Sequence, residues 1–406
     1  MSNNSKLLIF IVIVLSSFIF FATSSSWQPL FAHQQATLTQ TSLQTIGNLQ
    51  YTIANDHFIY LPLVSNQIST TEWNIECIDC PASFWSMSDR SIRLDSNGYP
   101  HIAYGGNHLF YIWFDGSSWH KETIDGNATT GTTPSLVLDS NDNPHISYVD
   151  WDDTPPYQST LNYAYKSGTG WHVDLLDEIG ASASSVSLDL DSNDFPHIGY
   201  YDESEEAYKY VYWTGNNWNP QTIFSSVHPS FPSISIVLDS ADHPHIGFSK
   251  PGLRYAHWTG TDWQTGNIAT GGRNISIALD KSEMPVFSHY TISGPSSSTI
   301  QYTHWVNDHW EDQELETIPG DGYAASTSIE IDSQNQPHIV YTDFSYAPKL
   351  KYAYWTNNEW HIEAVYISTP VCGPSSLALD NNDLPHIACQ DRDQKGLVYA
   401  YLKINE

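Results

Sequence analysis

An aspartate followed six residues later by a histidine recurs along this chain: Asp95 and His101, Asp139 and His145, Asp191 and His197, Asp239 and His245, Asp332 and His338, Asp380 and His386. Carboxylate and imidazole in that proximity are the raw material of acid–base catalysis or zinc binding. Six symmetric copies, however, do not converge on one centre. An aspartate that opens a turn caps local backbone N–H groups, so the expectation is an Asx-turn at each copy, with aspartate and histidine near each other across a hairpin. The run from Asp139 to Asn143 also carries the oxygens of a calcium loop, but without the glycine and terminal glutamate of an EF-hand. No cofactor is expected; calcium at that run is the one candidate.

Chemistry confined to one place must come from positions that break the pattern. Six residues after the proline preceding each histidine, four copies have an aspartate: Asp150, Asp202, Asp343 and Asp391. The fourth copy has Lys250 there. The fifth has Val286 in place of the histidine, and His289, followed by Tyr290, where tyrosine is usual. Arg273 precedes that fifth copy. Lys250, Arg273 and His289 therefore mark one sector suited to an anionic group such as a carboxylate. His289 and Tyr290 are the candidate proton-transfer groups of an enzyme. Arg254 is discounted, because Lys209 and Lys351 occupy the same place in other copies. After Asp150 comes an acidic, aromatic stretch with Trp151, Asp152 and Tyr157, a combination suited to sugar hydroxyls and sugar faces.

The elements that position these residues follow from the repeat itself. The phrase SIRLDSNGYPHIAY from Ser91 returns from Ser135, Ser187, Ser235, Ser276, Ser328 and Ser376 with a period of 41 to 52 residues. Each phrase is two alternating apolar runs around a turn, a β-hairpin. A second hairpin follows, as in KYVYWTGNNW from Lys209 or KYAYWTNNEW from Lys351. Four short strands at this period are the signature of a propeller blade. The last unit stops at its third strand, while Trp73 to Asp79 reads like the fourth strand of the others. The fold expected is all-β: a seven-bladed β-propeller of four-stranded antiparallel blades, closed by the N-terminal strand. The tryptophan that opens each fourth strand is expected to pack between blades.

Loop lengths separate the two faces of such a ring. From hairpin aspartate to proline is five residues in all seven units, and from the first tyrosine of strand three to the tryptophan of strand four is eight in the six complete units. All length variation falls in the other two connections, which share one face. Insertions gathered on one face mark the binding face.

The chain has 45 acidic residues against 15 Lys+Arg, a formal charge of -30. That excludes phosphate neutralisation on the scale a nucleic-acid partner demands. Residues 1–26 form a signal peptide or an uncleaved anchor: Lys6, an apolar run from Leu7 to Ala22, then small residues. Residues 27–71 read as a Ser/Thr/Gln-rich linker and 72–406 as the propeller; the apolar patch 58–64 has no assigned role. A secreted or otherwise extracytoplasmic protein, and a monomer, is expected. Four cysteines, Cys77, Cys80, Cys372 and Cys389, then suggest two structural disulfides with three possible connectivities, all in the seventh blade.

The LDSNxxPHIxY phrase followed by a YAYW–W hairpin resembles the repeats of secreted bacterial propellers grouped with the sialidase-like, or BNR-repeat, superfamily, over about 335 residues. The resemblance implies the fold. It does not imply sialidase chemistry, because the Asp-box Ser-x-Asp-x-Gly-x-x-Trp is absent and Arg90, Arg93, Arg254, Arg273 and Arg392 form no convincing triad. The function expected is an extracellular binding module for glycans, or another cell-surface or matrix ligand, using the variable face. The alternative is an enzyme, lyase or glycosidase, acting on an acidic glycan.

Overall fold

In the computed structural model, residues 71–404 are described except 81–83, 85, 127–130, 152–154, 156, 169, 181–184, 226–228, 230, 251, 295–296, 320–325, 344–348, 367–371 and 392–395; before them, 14–15, 18–19, 44–46, 49–54 and 57–60 are described. Residues 70–405 make one compact unit and residues 1–69 another. Within the stretch read as a linker, Gln44–Ile46, Leu49–Ala54 and His57–Tyr60 pair as a three-stranded antiparallel sheet. The patch at 58–64 thus supplies part of one strand. Among the described residues no helix is long and apolar enough to cross a membrane.

The larger unit is a seven-bladed β-propeller of four-stranded antiparallel sheets. Blades one to six cover 92–125, 132–180, 186–225, 234–269, 273–319 and 327–366. Blade seven takes three strands from Cys372–Leu379, Pro385–Asp391 and Gly396–Ile404, and its outer strand is Thr71–Asp79. The pairing runs from Leu397 opposite Asp79 to Ile404 opposite Thr71. The N-terminal strand therefore closes the ring, as the repeat arithmetic requires.

The recurring phrase does three structural jobs. At each hairpin turn the first aspartate caps its own loop: Asp139 Oδ1 accepts the N–H groups of Asn141 and Asn143 at 2.8 and 2.7 Å. The histidine behind it is buried, with Nδ1 on the tyrosine of strand three (His145 on Tyr163, His197 on Tyr210). Its Nε2 lies 3.2 to 3.8 Å from the capping aspartate in the six copies. Burial lowers the pKa of these imidazoles, opposed by the facing carboxylate. That same tyrosine is covered edge-on by the strand-four tryptophan of the next blade, with centroids 5.2 to 5.8 Å apart at all seven junctions, Trp73 on Tyr352 and Trp119 on Tyr399 included. The repeated His and Trp are architectural, and the carboxylates of the Asp139 run are engaged, Asp139 within its own turn and Asp142 by Ser96 of the preceding blade. Among the described residues no group of three or more His, Cys, Asp or Glu gathers to hold a metal.

The ring is also stitched blade to blade. The serine that opens each phrase is buried beside the axis. Ser135 Oγ accepts the N–H of Leu188, Ser187 that of Ile236, Ser235 that of Ile277, Ser276 that of Ile329, Ser328 that of Leu377, and Ser376 that of Ile92, at 3.0 to 3.3 Å. At the seventh junction Leu136 N–H donates to Arg90 O at 2.8 Å, and Ser91 Oγ–H donates to Pro134 O at 3.0 Å. At the turns a second belt runs outside the first. Ser96, Ser140 and Ser192 each donate N–H and Oγ–H to an acidic residue of the following blade, Asp142, Asp194 and Asp242. Those acceptors sit at φ near +60°, as does Gly98 at +81°, which occupies their position in blade one. Glycine has no carboxylate, so the belt has no such link from blade seven to blade one.

Two disulfides form, Cys77–Cys80 and Cys372–Cys389. Each stays within one end of the chain, so no covalent bond joins the closing strand to the rest of blade seven.

Candidate functional site

At the face of the variable connections, neighbouring blades meet through four side chains each. One is the tyrosine of strand two. A second lies near the start of strand three, the third at or just after the end of strand two, and the last is the sixth residue after the strand-four tryptophan of the preceding blade. In blade three these are Tyr200, Lys209, Asp202 and Asp177. Lys209 Nζ is 2.6 Å from Asp202, 2.9 Å from Glu205 and 3.4 Å from Asp177, and Tyr200 donates to Asp177 at 2.7 Å. Burial opposes the charge of Lys209, but its hydrogen bonds to Asp202 and Glu205 prevail and raise its pKa. Blade six repeats this arrangement, with Lys351 2.6 Å from Glu316 and 2.9 Å from Asp343. Each of these cations is compensated.

Blade four keeps the geometry and changes the charges. Its four positions are Phe248, Arg254, Lys250 and Phe224. Both cations lie over the Phe224 ring, the Lys250 ammonium 4.5 Å and the Arg254 guanidinium carbon 4.4 Å from its centroid. Arg273, at the entry to blade five, lies 4.3 Å over Phe231, a ring that is 56% exposed. Among the described residues none of the three cations forms an ion pair, and Arg254 Nε has no hydrogen-bond partner. Partial burial and then the nearby Arg254 charge lower the Lys250 pKa, the sign expected of a cation without an anion. Cation–π contact stabilises such groups without neutralising them, at about 0.5–1 kcal/mol each when exposed. The sector is an uncompensated positive patch in a chain of charge -30.

Sequence reasoning placed Lys250 and Arg273 here but set Arg254 aside by analogy with Lys209 and Lys351. The analogy of position holds; the surroundings differ. The available signal was Phe224, which stands where Asp125, Asp177 and Glu316 stand in other blades. His289 belongs to the adjoining blade but is fully buried, its Nε2 2.8 Å from Thr303 Oγ1, which donates to Asp312 at 2.6 Å. Burial pushes its pKa down to about 4. Tyr290 is buried beside it.

The other expected site residues are dispersed. Asp202 and Asp343 are buried against their lysines, and Asp391 is fully buried in blade seven. Asp150 and Trp151 are half-buried at the end of strand two of blade two, Tyr157 is 51% exposed in the following loop, and Asp152 lies outside the described residues.

No protein-family model matches the chain, and no curated protein does. Among solved structures it is similar to an ulvan lyase of polysaccharide lyase family PL25, at 10% identity over 81% of this chain and 94% of that chain, with a TM-score of 0.57. The same lyase bound to -[GlcA(1-4)Rha3S]- gives 0.56. A fucose-specific lectin from Aleuria aurantia is 13% identical, over 70% of this chain and 97% of that one, with a TM-score of 0.47. At these identities the likeness is one of fold.

Proposed function

We propose that this protein is an extracytoplasmic glycan-binding propeller that engages its ligand on the variable face, chiefly through the sector of Lys250, Arg254 and Arg273. The observation that carries this reading is the pairing of these cations with aromatic rings where other blades place carboxylates. A guanidinium fork donates paired hydrogen bonds to a uronate carboxylate or a sulfate, and exposed rings such as Phe231 offer an apolar surface to a sugar ring. The signal-like N-terminus, the two disulfides and the resemblance to secreted sialidase-like repeats support a location outside the cytoplasm. The chain acts as a monomer, and its acidity argues against nucleic acid as partner.

The test is calorimetric titration with a uronate polymer and with a neutral glycan of similar length. Lys250→Glu combined with Arg273→Glu is expected to weaken uronate binding at least tenfold with the melting temperature unchanged, and Arg254→Gln to weaken it severalfold. Added salt screens the repulsion of an acidic polymer by the whole protein as well as the local attraction, so binding should fall less steeply than for an ordinary basic patch. Unchanged uronate affinity in the double variant, with loss of neutral-sugar binding in Trp151→Ala or Tyr157→Ala, would move the site to the long loop of blade two.

An acidic-glycan lyase is the second reading. The burial of His289 and Tyr290 counts against these two as its proton-transfer groups, because neither reaches a ligand on the face without rearrangement. A rise in ultraviolet absorbance from unsaturated uronate during incubation would establish it.

A further inference from the structure

The axle of the ring contains a second concentration of charge. Between the closing strand and blade one, residues 88–91 cross the channel near the variable face. Asp89 accepts Ser235 Oγ–H of blade four on its carboxylate and Ser328 and Ser376 Oγ–H of blades six and seven on its carbonyl, each at 2.7 Å. Arg90 donates to Ile277 O of blade five at 3.0 Å. On the turn side of this plug lies a cavity of about 380 Å³, bordered by Arg90, Arg93 and Glu330 with an apolar wall that includes Val237, Ala278 and Ala378.

The wall comes from the phrase itself. The position two after the opening serine holds Arg93, Val137, Asp189, Val237, Ala278, Glu330 and Ala378; all but Val137 and Asp189 line the cavity, and Asp189 Oδ2 accepts the N–H of Leu238 in the next blade at 2.9 Å. Small residues in blades four, five and seven leave the space; Arg93 and Glu330 face it from blades one and six. Arg93 is 3.8 Å from Glu330, too far for a hydrogen-bonded fork, and donates to its neighbour's carbonyl, Ile92 O, at 2.8 Å. Arg90 has no ion-pair partner within 4 Å among the described residues, and its buried Nε has no hydrogen-bond partner. Two guanidinium groups thus keep donor capacity beside a cavity with one apolar wall, with the carboxylates of Asp89, Asp189 and Glu330 nearby, and Glu330, with 35% of its side chain exposed, marks the opening.

We propose that this axial cavity is a binding site for a small carboxylate with an apolar body, held by Arg90 and Arg93. A planar carboxylate matches the guanidinium fork, and the apolar body replaces water against Val237, Ala278 and Ala378. Glu330 accepts from a donor on the ligand. Burial lowers the Arg93 pKa and raises those of Asp89 and Glu330. The site is separate from the variable face and does not depend on the glycan reading.

The experiment is titration of the full chain with benzoate, with benzamide as the neutral isostere. Benzoate is expected to bind saturably and at least tenfold more tightly than benzamide. Arg93→Gln should weaken benzoate at least tenfold and leave uronate-polymer binding unchanged. Ala378→Leu, which fills the cavity without touching a charge, should abolish benzoate binding in a protein that melts no lower than the parent; it carries the test if Arg93→Gln unfolds. Absence of saturable benzoate binding, equal affinity for benzamide, or full benzoate affinity in Ala378→Leu would each overturn the assignment.

Discussion

At the scale of single residues, the buried histidines make the fold sensitive to acid. The six hairpin imidazoles have pKa values lowered by burial, against the opposing pull of their aspartates. His289 is pushed down to about 4. An unfolded histidine titrates near about 6.5. Below that pH the unfolded chain binds protons that the folded ring refuses, so this stability is complete above about pH 6.5 and is lost as pH falls toward the folded values. Asp89 and Glu330, raised by burial, act in the opposite sense within the carboxylate range but are fewer. The melting temperature at constant ionic strength should therefore drop between about pH 7 and about pH 5; a rise would show the histidines charged in the fold. His145→Ala should cost roughly 0.5–1.5 kcal/mol for the lost bond to Tyr163 and leave glycan binding intact, measured by denaturant unfolding alongside titration.

At the scale of strands and blades, the serine that opens each phrase joins one sheet to the next. Ser187→Ala leaves the buried N–H of Ile236 without its acceptor at 3.1 Å, a loss expected to cost about 1–3 kcal/mol. Val237→Leu on the same strand, which removes no acceptor, gives the comparison for unfolding measurements. The strand order, the closure and the Asx-turns were legible in the sequence because seven imperfect copies average away everything but architecture. The role of the serine was not, since its partner is a backbone N–H in the next copy. The surroundings of Arg254 were hidden for the same reason. Whether that position is neutralised depends on Phe224, some thirty residues upstream, and only the angle between blades makes them neighbours. Arg90 and Asp89 precede the first phrase, so no periodicity pointed to the plug.

At the scale of the whole molecule, the ring closes without a covalent bond between its two ends. Removal of residues 1–80 should collapse the cooperative melt, because blade seven loses Thr71–Asp79 and exposes an unpaired edge; removal of residues 1–65 should leave it unchanged. Reduction of Cys372–Cys389, which closes a loop of separation 17, should lower stability by about 3 kcal/mol without opening the ring, since neither disulfide spans the two ends. Calorimetry of the two truncations and of the reduced protein distinguishes these outcomes.

The same closure makes the molecule divisible. A segment held without a covalent bond, by the eight residue pairs between 71–79 and 397–404 and by contacts of Trp73 with Glu363 and of Asp79 with Tyr104 and Lys121, need not belong to the same polypeptide. A peptide of residues 71–80 added to the chain lacking them is a ligand for its own protein, and should restore the cooperative melt in proportion to its concentration.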